Sequence, residues 1–241
     1  TVYFVDLKGS EAPNLIGYDR LFTATEEQEA YKLINTVKDV IDKRRKQFTA
    51  LRATDLESYN NSVIRLGRVT DILPRILLII DEIAEVMPNG TTKDHKGAKE
   101  AVRLINWIAR TGRSFGVNLI VAVQKPDTQN IDSTTKANLE GILCFQVANR
   151  IQSQVVLDNS KAIDLEGIKG RAVWQTSSDE IILQTPFISD ELIQKLKGGN
   201  TNVTTNSGDR PASKDVGRSE HNKEDSADCK DSAWSQYNNK E

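Results

Sequence analysis

Two successive carboxylates, Asp81 and Glu82, close a run of five aliphatic residues, Ile76-Leu77-Leu78-Ile79-Ile80, which Pro74-Arg75 precedes. A run of that length, bounded by proline and charge, reads as a short strand buried on both faces, as in the middle of a parallel sheet. Ligands of open α/β sheets collect at the carboxyl ends of the strands, where Asp81 and Glu82 fall. An aspartate there can hold a hydrated magnesium ion on a nucleotide, and the following glutamate can orient or deprotonate an attacking water. This is the chemistry of a Walker B strand. Taken alone, the pair equally suits a strand whose acidic end caps the next helix. A second apolar stretch, residues 117–123, also ends in a polar group, Gln124-Lys125-Pro126. A strand-end amide beside Asp81-Glu82 is of the type that senses a γ-phosphate and helps to place the water.

These side chains need a sheet to present them. Residues 2–5 form a first apolar strand ending at Asp6-Leu7-Lys8-Gly9. An acidic strand end meets a ribose in dinucleotide-binding folds, but no G-x-G-x-x-G precedes Asp6. Thr25 and Gln28 have capping-box spacing, and Ala30, Leu33, Ile34, Val37 and Ile41 then recur at helical intervals, predicting one amphipathic helix over 26–48. Its run Lys43-Arg44-Arg45-Lys46 reads as a solvated helix end. A polar loop follows, with a short helix around 56–60. After the central strand, Pro88-Asn89-Gly90 breaks the chain and His95 sits alone in a polar loop, a surface histidine. A helix is predicted over 97–115, with Trp107 in a packing role and Gly116 as its left-handed C-cap. A short helix within 131–139, a fourth strand at 141–147, a helix at 150–157 and a hairpin of 171–175 with 181–184 on the sheet edge complete the pattern, before a last short helix over 189–196. Strands alternating with helices in this way predict a doubly wound α/β core.

Composition narrows the options. The 241 residues carry 32 Lys+Arg against 34 Asp+Glu, so bulk charge makes no case for a nucleic-acid partner; a local basic stripe has to. Cys144 and Cys229 show neither metal spacing nor a disulfide framework, which fits a reducing compartment. No apolar run reaches membrane-span length and no signal peptide is visible. Residues 198–241 are rich in Asn, Thr, Ser, Asp, Lys and Gly and are expected to form a disordered polar tail. The chain opens on Thr1-Val2-Tyr3 without Met, and is expected to be a piece of something longer that starts within a strand.

The order of motifs resembles the motor domain of the FtsK/SpoIIIE family. The resemblance rests on Leu77-Leu78-Ile79-Ile80-Asp81-Glu82-Ile83-Ala84-Glu85, then Ile108-Ala109-Arg110-Thr111-Gly112-Arg113-Ser114-Phe115-Gly116-Val117, then Val123-Gln124-Lys125-Pro126. Lys136-Ala137-Asn138, Phe145-Gln146-Val147 and Leu157-Asp158 extend it, as do the upstream Asp6-Leu7-Lys8 and Asp42-Lys43-Arg44-Arg45, so that it covers residues 2–196. The resemblance implies an α/β, RecA-like P-loop NTPase core: a mostly parallel sheet flanked by helices, with an edge hairpin, over residues 1–197. It implies an ATP- and Mg2+-dependent ring motor, usually a hexamer, that pumps double-stranded DNA or, in a secretion branch, drives protein export. By match, Asp81 is the magnesium residue, Glu82 the catalytic carboxylate and Gln124 the sensor. Arg113 is the arginine finger reaching a neighbouring subunit's ATP, with Arg110 as its competitor. Lys125, Lys136 and Arg150 match basic positions lining the DNA channel. A cytoplasmic domain is implied, any membrane anchor lying upstream.

One departure stands out. No G-x-x-x-x-G-K-[ST] occurs in these residues, and no other motif here supplies its phosphate-cradling donors. The expectation is that the chain starts after that motif, and that residues 1–241 alone neither bind ATP tightly nor hydrolyse it. The family's C-terminal DNA-orienting winged helix is not recognisable either, which favours plasmid or conjugative transfer over chromosome partition. A protein-export ATPase of the same superfamily is the first alternative, a non-hydrolysing ring or binding module the second. A dehydrogenase-type Rossmann domain ranks last.

Overall fold

A computed structural model describes residues 1–15, 18–88, 94–127, 133–189 and 191–193. Strands β1 (Val2–Asp6), β2 (Leu21–Ala24), β3 (Ile76–Asp81) and β4 (Val117–Val121) form one parallel sheet in the order β2-β1-β3-β4. Parallel neighbours need long crossovers. Helices α1 (Glu27–Ala50) and α2 (Leu56–Arg65) lie between β2 and β3, and α3 (His95–Thr111) lies between β3 and β4. The register sets Asp6 opposite Asp81, so β1 and β3 end together.

The core lies between this sheet and the apolar stripes of α1 and α3. Leu33, Ile34, Val37 and Ile41 meet Ala101, Leu104, Ile105 and Ile108 over Tyr3, Val5, Leu78 and Ile80. The expectation that β3 is buried on both faces is corrected. Ile76, Leu78 and Ile80 are buried while Leu77, Ile79 and Asp81 are half-buried. Side chains alternate across a strand, and α1 and α3 cover the same face.

The later strands do not extend the parallel sheet. β5 (Gly141–Phe145), β6 (Arg171–Thr176) and β7 (Glu180–Gln184) form a separate antiparallel sheet in that order. The predicted fourth strand and hairpin exist, but β5 pairs with β6 instead of β4. Between β4 and β5 the chain also forms α4 (Ser133–Asn138), and after β5 it forms α5 (Arg150–Leu157). The second sheet has its own small core of Cys144, Val156, Leu157, Ala162, Leu165 and Val173. A groove of about 680 Å³ separates β4 from β5, lined by Leu119, Ile120, Val121, Leu143, Phe145 and Trp174 among others.

Local expectations fare unevenly. The N-cap of α1 is Glu26 and makes no side-chain cap, so Thr25 and Gln28 form no capping box. Helix α2 starts where expected, with Asp55 and Ser58 capping it reciprocally, and runs five residues further, to Arg65. Helix α3 ends at Thr111, and Gly116, with φ of +71°, turns the chain into β4 instead of capping the helix. Arg44 is not solvated: it is 3% exposed and donates at 2.6 Å to the carbonyls of both Pro74 and Phe115. Its neighbour Arg45 lies 5.5 Å from the centroids of both Trp107 and Phe115, which keeps Trp107 in its packing role. His95 is exposed, its Nδ1 2.8 Å from the Pro88 carbonyl. Among the described residues no helix is long and apolar enough to cross a membrane. The polar tail, Cys229 and half of the predicted 189–196 helix lie outside the described residues.

Candidate functional site

The carboxyl ends of β1, β3 and β4 form one rim, and three backbone devices fix what stands on it. The Ala122 N–H donates to Ile80 O and the Ile83 N–H to Ala122 O, each at 2.9 Å, so the segments leaving β3 and β4 are stitched together. Between them Glu82 takes a left-handed conformation, φ 63° and ψ 81°. For a non-glycine residue that costs on the order of 1–3 kcal/mol, and such outliers cluster at functional sites. The third device is Asp6, which is fully buried and accepts from the backbone N–H groups of Gly9 at 2.9 Å and of Glu11 and Ala12 at 2.8 Å. Burial pushes the Asp6 carboxyl up, but the N–H groups of Ala12, Glu11 and Gly9 outweigh it and hold the group below its ordinary range. The loop after β1 is therefore moored to the rim.

Glu82 is 5% exposed. Its Oε2 accepts from the Gln124 N–H at 3.0 Å and from Lys8 Nζ at 3.3 Å, and Lys8 Nζ also donates to Gln124 Oε1 at 2.9 Å. Glu82 Oε1 is buried with no hydrogen-bond partner among the described residues. An orphaned buried polar atom costs about 1–3 kcal/mol, and a carboxylate oxygen left open in this way is positioned to accept from a ligand's proton. Asp81, next to it, is half-exposed at the strand tip.

The structure thus brings Glu82 and Gln124 into direct contact, with Asp81 on the same rim. Of the other predicted residues Lys125 adjoins this cluster in sequence, and the rest lie on other segments. Arg113 is exposed on the segment between α3 and β4 and pairs with Glu140. Arg110, on the last turn of α3, is exposed as well. Lys125 is exposed just beyond Gln124, and Arg150 is exposed at the first position of α5. Lys136, on α4, has a side chain only 19% exposed and donates to Asp158 Oδ2 at 2.5 Å and to Val155 O at 3.3 Å. Sequence reasoning used Lys8 only as part of the motif layout. The signal was available: a lysine two residues past the end of the strand that neighbours the acidic one.

Among the described residues no group of three His, Cys, Asp or Glu side chains is gathered to hold a metal. Magnesium on a nucleotide does not need one. It keeps several waters and takes one or two carboxylates plus the phosphates, and a half-exposed Asp81 beside the orphaned Glu82 oxygen fits that demand.

No family model matches the chain. It is 30% identical over 179 residues to the DNA translocase FtsK of Clostridium tetani, covering 72% of this chain and 22% of that protein. The DNA translocase FtsK of Helicobacter pylori strain J99 is 28% identical over 173 residues, 71% of this chain and 19% of the relative. The chain thus spans about a fifth of the length of the curated relatives it matches. Among solved structures, the conjugation coupling protein TcpA of pCW3, a monomer form with ATPγS, matches with a TM-score of 0.69 and 28% identity, over 81% of this chain and 56% of that one. The type VII secretion ATPase EccC of Thermomonospora curvata shares the fold with a TM-score of 0.62 at 18% identity, over 81% of this chain and 24% of its own.

Proposed function

Taking as premise that this chain is a homologue of the FtsK/SpoIIIE-type motors and has their RecA-like core, we propose that it carries the hydrolytic part of an ATP-driven double-stranded DNA translocase serving plasmid or conjugative transfer. The observation that carries the proposal is the rim cluster: a strained, buried Glu82 with one oxygen tied to Gln124 and the other left open. In this reading Glu82 Oε1 takes the hydrogen of the attacking water and so aims its lone pair at the γ-phosphorus. Gln124 contacts the departing phosphoryl oxygens. Asp81 would hold a Mg2+ ion, which would supply neutralisation of phosphate charge. Arg113, exposed and held by a surface carboxylate, exchanges Glu140 for the phosphates of a neighbouring subunit in a ring, a hexamer by family resemblance. Lys125, Lys136 and Arg150 meet DNA phosphates, contacts that carry no sequence information.

The 241 residues contain no G-x-x-x-x-G-K-[ST] run, so by themselves they are expected to show no ATP turnover. The test of the reading is Glu82→Gln in the full-length protein. Turnover should fall by about 10²–10⁴-fold, the usual contribution of a general base, with nucleotide binding retained. Undiminished turnover would defeat the assignment. One observation favours the protein-export alternative: Lys136 is already engaged by Asp158 and Val155. Changing Lys125, Lys136 and Arg150 together to Ala decides between the two, since a DNA motor loses DNA-stimulated turnover and an export motor keeps its basal and stimulated rates.

A further inference from the structure

We propose that Lys8 is the positioning residue of this site: it clamps Glu82 Oε2 and fixes which way the Gln124 amide faces. The inference rests on the reading of Glu82 and Gln124 above and adds a third member on a third strand.

Among the described residues Lys8 is the side chain that bridges the two, donating to Glu82 Oε2 at 3.3 Å and to Gln124 Oε1 at 2.9 Å. An ammonium has donors only. The Gln124 oxygen must therefore face Lys8, and its NH2 group must face away, towards whatever occupies the rim. A glutamine amide otherwise has two orientations of similar shape and opposite polarity. Lys8 selects the one that offers N–H donors, the polarity a phosphoryl oxygen requires. The same ammonium occupies Glu82 Oε2 together with the Gln124 N–H, which leaves Oε1 as the only oxygen open to a water.

Lys8 holds its own place because its loop does. Asp6 anchors the following residues through three backbone N–H groups, and Gly9 makes the return with φ of +66°. The Lys8 side chain is 34% exposed, against 6% for Glu82, so the cation sits at the mouth of the cluster and the carboxylate beneath it. A left-handed Glu82 has no helix or strand of its own to hold its side chain; besides Lys8, the Gln124 N–H is its only polar contact among the described residues.

The experiment compares Lys8→Met and Lys8→Arg in the full-length protein, by hydrogen exchange at the Gln124 amide and by steady-state ATP hydrolysis. The methionine keeps the apolar stem and removes the donors. It should accelerate Gln124 exchange at least about tenfold, because the acceptor Glu82 Oε2 is no longer held. Exchange at Ile83, bonded to Ala122 O, should stay unchanged and reports that the fold is intact. The kcat should fall by about 100-fold, the size of effect that a small misplacement of a reacting group produces, with KM for ATP within about twofold. Lys8→Arg should restore part of both. Unchanged Gln124 exchange in Lys8→Met would overturn the clamp. A rise in KM that accounts for the whole loss would overturn the positioning role and make Lys8 a nucleotide-binding group. If Glu82→Gln itself leaves turnover intact, the hydrolytic reading fails and takes Lys8's part in turnover with it, while the exchange experiment still decides the clamp.

Discussion

Glu82 bears two costs that nothing in the fold demands: a left-handed backbone and an orphaned carboxylate oxygen. Replacing it with glycine removes both. Glu82→Gly should therefore raise the unfolding temperature by about 2–4 °C, which corresponds to about 1 kcal/mol in a domain of this size, while abolishing turnover. A lowered unfolding temperature would mean that the contacts of Glu82 Oε2 with Lys8 and the Gln124 N–H outweigh the two costs. Asp6 makes the opposite case. Its ionised form is favoured in the folded state, so its contribution to stability is complete above the ordinary aspartate value of 3.8 and disappears as the pH falls through the lower value it has in the fold. Asp55, held down by the Ser58 N–H, and Asp94, held down by the Gly97 N–H, act with the same sign. Denaturant titrations of Asp6→Asn should show lower stability at pH 7 and a shallower loss below pH about 4. At this scale Asp81-Glu82 and Gln124 were legible because a polar group at the end of an apolar run marks a strand's end without further information. Lys8 was not, since a cation two residues past a strand looks like any solvated lysine until its contacts are known.

The elements show the same division. Long helices with strong periodicity were readable to within a few residues, as α1 and α3 are. The basic run on α1 was not: four consecutive cations read as solvent-facing, yet the helix turns the second of them, Arg44, inward onto two carbonyls 30 and 71 residues away. Hydrogen bonds to a charged donor contribute about 1.5–3 kcal/mol each, and Arg44 holds the entry to β3 and the entry to β4 together. Arg44→Met should cost about 3 kcal/mol in chemical denaturation, whereas Lys43→Met, on the exposed side of the same turn, should stay within about 0.5 kcal/mol. Equal effects would place both residues in solvent. Gly116 serves the same junction, because a Cβ there would lie 2.3 Å from Leu56 Cδ2. Which sheet β5 joins was beyond the sequence for a different reason: a five-residue apolar strand has a face pattern but no address for its edge.

Over the molecule as a whole, β4 ends the parallel sheet, β5 ends the antiparallel one, and the groove between them exposes Ile120 by 49%, Phe145 by 48% and Leu143 by 42%. Apolar surface beside an unpaired strand edge invites association. The 241-residue chain should brighten an environment-sensitive apolar dye, and Ile120→Lys with Leu143→Lys should cut that signal by more than half; an unchanged signal would place the dye elsewhere. The rim follows another logic. Lys8 ties a loop of the first strand to groups leaving the third and fourth, and Asp6 welds that loop to its own strand. Whatever pulls on residues 7–12 tugs the water-facing carboxylate with it. Residues 7–12 thus act as a handle on the rim, and a partner that grips them would shift Glu82 without touching the cluster itself.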